Sequence, residues 1–178
     1  MKNLIVFEYF SSNFNLDINE NKDILKEGLN IVNSLMTSLS GIQKKQIFIL
    51  RSFNLPVLKV SNVNFLITEP KKDWIWHLKK FDPKQTELII VAPEKSKINQ
   101  NIFRLTRKMN FKIVGSDFNI IKIFSSKFQT YKYLNKFKIP CVKTTRNHAD
   151  LDDSELITVM KPDMGGGSKN IFLLSSLN

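Results

Sequence analysis

Apolar residues in this chain fall into short unbroken runs, separated by longer stretches in which they recur every three or four positions. The first run, Leu4 to Phe7, is short and rich in β-formers, the pattern of a strand buried on both faces. A polar loop follows, containing Ser11, Ser12, Asn13, Asn15 and Asp17, and Asn19 or Asn21 is placed to cap the next element. From there Ile24, Leu25, Leu29, Val32, Leu35, Met36 and Leu39 keep helical spacing up to Gly41, which predicts the best-defined helix of the chain.

Gln46 to Leu50 predicts a second strand, Val57 to Val60 a third after Pro56, and Asn64 to Thr68 another. Trp74, Ile75, Leu78 and Phe81 mark an amphipathic helix between Lys71 and Phe81, ended by Asp82-Pro83. Glu87 to Ala92 is a clear buried strand. A helix over 97–109, with Phe103 and Leu105 inward, and a short strand at Phe111 to Val114 follow it. Strand and helix alternate here, so most connections are crossovers and the sheet is mostly parallel. Such an α/β layer binds its ligands beyond the carboxyl ends of its strands. Glu8 and Glu94 fall at that edge, either as solvated loop carboxylates or as acids facing a substrate.

Gly115-Ser116 marks a boundary between 1–115 and 116–178. Beyond it, Ser116 or Asp117 caps a short helix through Ile120, Ile121 and Phe124. Ser125 or Ser126 caps another, with Phe128, Tyr131, Leu134 and Phe137 on its inner side, and Pro140 ends it. Val142 to Thr145 is extended, an acidic loop runs from Asp150 to Glu155, and Leu156 to Met160 is a strand that delivers Lys161. The glycines Gly165, Gly166 and Gly167 separate it from a last strand, Ile171 to Leu174.

Composition narrows the setting. Apolar residues make up 42% of the 178 positions, ample for a buried core. Cys141 is the sole cysteine, which excludes an internal disulfide and a cysteine zinc cluster within the chain. It has no base beside it, and His77 and His148 are too isolated to form a ligand set with it. The N-terminal apolar run is ended by Glu8, too short for a signal or membrane segment, so a soluble, cytoplasmic protein is expected. The net charge of +11 favours anionic partners, but the lysines are spread along the chain and the aromatics fall on inward positions, which ranks nucleic-acid binding last among the functional readings.

The chemistry is concentrated near the carboxyl end. A triphosphate needs lysine charges and backbone N–H groups that can come close, and glycine permits that approach because it lacks a Cβ. Lys127, in the first turn of a capped helix, adds its ammonium to the positive end of the helix dipole. Lys161, at the end of a buried strand, is held rigidly, and Gly165, Gly166, Gly167 and Ser168 form a hairpin loop able to fold over the outer phosphates.

The run IFSSKFQTYKYLNKFKIPCVKT, Ile123 to Thr144, and the later VMKPDMGGGS, Val159 to Ser168, resemble the ATP-grasp superfamily. The first is similar to its Ser/Asp-Lys, helix, Ile-Pro and Thr segment, the second to its Lys-Pro, acid and glycine-rich strand and loop. FEYFSSN near the start and VAPE, Val91 to Glu94, are similar to a narrower branch, the small carboxylate–amine ligases typified by tyramine–glutamate ligase. The resemblance implies an α/β fold. A Rossmann-like, mostly parallel substrate domain over 1–115 is followed by the first, incomplete lobe of an ATP-grasp domain over 116–178. It implies ATP as ligand, with Lys127 and Lys161 on the phosphates and Gly165 to Ser168 as the mobile loop, and small carboxylate and amine substrates. Where the family usually has an acid or glutamine before the first loop glycine, this chain has Met164, with Asp163 one place earlier. The Mg2+ ligands are expected on a lobe beyond residue 178. A protein chain completing the grasp, or a second copy of this one, is expected as partner, and the isolated chain is expected to be inactive. The rival reading is a non-catalytic module that keeps the Rossmann-like half for a small ligand or a protein.

Overall fold

The structure, a computed structural model, describes residues 2–56, 58–147, 150, 158–165 and 170–174. The chain forms two compact units. One comprises 1–92 with 101–115, the other 93–100 with 116–178.

In the first unit, among the described residues, five strands form one parallel sheet: β1 (Lys2–Glu8), β2 (Lys45–Ser52), β3 (Val63–Thr68), β4 (Thr86–Val91) and β5 (Lys112–Ile113). Their order is β3-β2-β1-β4-β5, the doubly wound arrangement that reverses direction between β1 and β4. Helices cover both faces, which is why Leu4 to Phe7 is apolar without alternation. On one face α1 (Lys22–Leu39) packs Val32 and Met36 against Val6 of β1 and Ile49 of β2. On the other, Trp74 of α2 (Trp74–Leu78) lies 5.0 Å from the Phe7 ring, and Phe81 meets Phe48 edge-on at 4.9 Å. Ile102 and Phe103 of α3 (Ile98–Lys108) are buried as well.

Several expectations need correction. Residues 58–60 are not a strand, because β3 pairs with β2 and Val60 instead packs beneath that edge against the core. α2 is a five-residue helix, started by the Asp73 side chain accepting from Trp76 N, and a 3-10 turn at Pro83–Gln85 follows it. Leu105 is only half-buried, and Thr106 takes the inward place by folding its hydroxyl onto the carbonyls of Ile102 and Phe103. Asn21 occupies the N-cap position of α1 but makes no side-chain cap. Asp17 organises that approach instead, accepting from the N–H groups of Asn19 and Glu20.

At the amino edge of the sheet, Glu87 on β4 bridges Lys45 on β2 and Lys112 on β5. Bonds from Lys112 and Lys45 lower the Glu87 pKa to about 2. His77 is buried with Nε2 2.8 Å from the Ile67 carbonyl, so that nitrogen carries the proton, and burial lowers the pKa of the ring.

The second unit contains α4 (Phe118–Phe124), α5 (Lys127–Lys136) and an antiparallel pair, β6 (Thr158–Met160) and β7 (Phe172–Leu174). Its described residues bury no hydrophobic side chain as deeply as the first unit does; Gln100, Ser125 and Ser126 are the buried ones. Phe124 and Phe137 meet Tyr133 in an aromatic row along α4 and α5, yet both phenylalanines remain exposed. Among the described residues no helix is long and apolar enough to cross a membrane.

Candidate functional site

Glu8 ends β1 and is 2% exposed, so it is neither solvated nor open to a ligand. Its carboxylate accepts from Phe10 N at 3.1 Å and Ser11 N at 2.6 Å, closing the turn that follows its own strand. α1 reaches this carboxylate through Gly28, where a Cβ would stand 2.6 Å from Oε2; any side chain there collides with the acid. The turn is tied over the neighbouring strand ends by Ser52 N donating to the Ser11 carbonyl and by the Thr68 hydroxyl donating to the Ser12 carbonyl. The carboxyl edge of β1, β2 and β3 is therefore capped by the chain itself. Arg51, buried at the same edge, donates its Nε to the Pro56 carbonyl. Glu94, half-buried in the second unit, holds a 3-10 turn through its main-chain carbonyl, which accepts from Lys97 N.

The second unit gathers its polar groups at the start of α5. Ser126 is the N-cap, its hydroxyl accepting from Gln129 N at 3.1 Å. A second N–H of that turn, on Phe128, donates to Asp163 Oδ1 at 2.9 Å, and the Ser126 hydroxyl lies 2.8 and 2.9 Å from the two Asp163 oxygens. Arg146 Nη2 donates to Asp163 Oδ2 at 2.5 Å. Partial burial pulls the Asp163 pKa upward. The bonds from Phe128, Ser126 and Arg146 outweigh that and hold it below the ordinary carboxyl value. An internal carboxylate thus occupies the positive end of the α5 dipole, so Lys127 does not offer that end to a ligand as expected.

Lys127 is turned onto the segment that follows β6. Its amide donates to the Asp163 carbonyl at 3.0 Å, and its ammonium donates to the carbonyls of Pro162 at 2.8 Å and Gly165 at 2.9 Å. Gly165 has φ +110, a conformation that favours glycine. Lys127 and Gly165, 38 positions apart, are in direct contact. Lys161 is exposed, and the β6 residues before it are half-buried or exposed, so it does not end a buried strand as expected. Gly166, Gly167 and Ser168 lie outside the described residues, as does His148. Sequence reasoning missed Arg146 as a site residue and placed Asp163 only as a displaced family acid. No local periodicity signals a contact across 17 or 35 positions, and the acid following Lys161-Pro162 was the one available hint.

No protein-family model matches the chain, and no curated protein matches it. A solved structure does. It is the crystal structure of a protein from Archaeoglobus fulgidus described as a provisional ATP-grasp superfamily member, at 17% identity and a TM-score of 0.67. The shared property is the fold. The match covers 93% of this chain and 48% of that one, so this chain spans about half its length and shares the fold of that part, a five-stranded parallel sheet followed by a smaller α/β unit.

ATP-grasp proteins generally bind ATP with Mg2+. Among the described residues no group of three His, Cys, Asp or Glu side chains could hold an ion. The Asp163 carboxylate is also committed to Ser126, Phe128 and Arg146.

Proposed function

We propose that this chain is the N-terminal portion of an ATP-dependent carboxylate–amine ligase. In this reading residues 1–115 form the substrate domain and 116–178 the first part of the ATP-grasp domain. The observation that carries it is the Lys127 ammonium seated on the Pro162 and Gly165 carbonyls, which brings a lysine at a helix start against the glycine-rich segment after Lys161. The fold shared with an ATP-grasp superfamily structure supports the same reading. Lys127 and Lys161 contact ATP phosphates, and Gly165 to Ser168 close over them with backbone N–H groups.

In the complete enzyme a substrate carboxylate oxygen attacks the γ-phosphorus of ATP, releasing ADP and leaving an acyl phosphate. A substrate amine then attacks the acyl carbon, phosphate departs, and the amine loses a proton as the amide forms. A glutamate-like carboxylate and a tyramine-like amine are the narrower candidates, on the likeness of FEYFSSN and VAPE to that branch.

The β6–β7 pair is exposed on both faces, with Val159 and Leu173 on one and Met160 and Phe172 on the other. Uncovered apolar strand faces mark interaction surfaces. We assign their cover to the remaining half of the ATP-grasp domain, whether carried by a partner chain or by further polypeptide. Calorimetric titration of ATP into wild type, Lys127→Ala and Lys161→Ala tests the proposal. Binding by wild type and its loss in both variants is expected, and ligase turnover should require the completing half. Undiminished ATP binding by both variants would favour the non-catalytic module.

A further inference from the structure

We propose that Arg146 is a further phosphate-binding residue of this site, held ready by Asp163 and Phe128. This rests on the ATP-binding reading above. A surface arginine ordinarily loses rotamer freedom on meeting a ligand, which offsets much of the gain. Arg146 has been fixed beforehand at two points: Nη2 is bonded to Asp163 Oδ2 at 2.5 Å, and its guanidinium lies 4.8 Å from the centre of the Phe128 ring. Even so, 59% of its side chain is exposed, which leaves much of the five-donor fork open to solvent. Asp163 is two residues from Gly165, and Lys127 is bonded to both of their carbonyls. Arg146 is therefore a preset, partly open cation at the same segment as Lys127.

The charge pattern agrees. Lys127 and Arg146 both bond the segment around Asp163, and the Asp163 carboxylate is already satisfied from three sides. A planar fork that spends one edge on Asp163 can offer another to a phosphate oxygen, which an ammonium cannot do with the same fixed direction. Asp163 acts here as a positioning residue, orienting Arg146 and anchoring the segment on α5.

The test titrates inorganic tripolyphosphate and ATP separately into wild type, Arg146→Ala and Arg146→Gln, at low and at physiological salt. Removing one charge-assisted contact should weaken both ligands about tenfold. The difference from wild type should shrink as salt screens the lost charge. Glutamine keeps a donor for Asp163 without the charge, so it should bind phosphate as weakly as alanine does and serves as the deciding variant if the alanine chain is misfolded by circular dichroism. Wild-type affinity in a folded Arg146→Gln chain overturns the assignment while leaving the ATP reading intact. A salt-independent loss overturns it too, by pointing to structure rather than charge. A wild-type chain that binds neither ligand removes both readings together.

Discussion

The two units are built on opposite terms. The first closes around Ile5, Val6, Ile47, Ile49 and Leu50, all fully buried, and even seals its polar strand ends by folding Glu8, Ser11 and Ser12 inward. The second is held by polar contacts at the start of α5, while Val142, Leu173 and Phe172 stay in solvent. Hydrophobic burial supplies most of a domain's stability, and hydrogen bonds mainly fix geometry. The first unit has the means to fold by itself; the second has an arranged site and an uncovered apolar surface.

The sharpest way to expose that difference is Ile49→Ala, which should cost about 2–5 kcal/mol by opening a cavity under α1. Both tryptophans, Trp74 and Trp76, lie in the first unit, so denaturation followed by tryptophan fluorescence reads its stability. Gly28→Ala should come next, at about 1–3 kcal/mol, because the new Cβ overlaps the Glu8 carboxylate, which is buried and held by the Phe10 and Ser11 N–H groups.

Asp163→Ala should remove about 0.5–2 kcal/mol, the range for losing a helix cap. The effect should be confined to the second unit: the Phe128 amide exchanges faster with deuterium while the tryptophan-detected midpoint stays put. pH also probes the first unit. The Glu87 pKa is lowered from 4.5 to about 2, so its contribution is complete above pH 4.5 and disappears as pH falls toward 2. Glu87→Gln should flatten that part of the first unit's stability profile. Smallest of all, Leu173→Ser should change stability by no more than about 0.5 kcal/mol in either direction, since the residue is already 69% exposed.

Legibility in the sequence followed the same division. β1, α1, β2 and β4 could be read from periodicity because a buried sheet leaves a one-dimensional imprint of its burial. The run misled at 58–60 because Val60 is apolar for packing rather than for strand pairing. Gly28 carried no signal, since its role is to have no side chain beside Glu8. Around the candidate site, Ser126 was legible as a cap and Lys127 as a helix-start cation, but the partners of both are set by tertiary contact. Asp163 meets α5 across 35 positions, and it took the place at the helix end that had been reserved for a ligand.

Glu87 also ties together the alignment of separate strands. It lies two strands from Lys45 and one from Lys112, and it reaches both only when β4 is aligned with its neighbours. A slip by a single residue would turn this carboxylate to the opposite side of the sheet and leave two ammonium groups with no counter-charge. The three side chains thus favour the native alignment at the end of the sheet where its parallel strands begin.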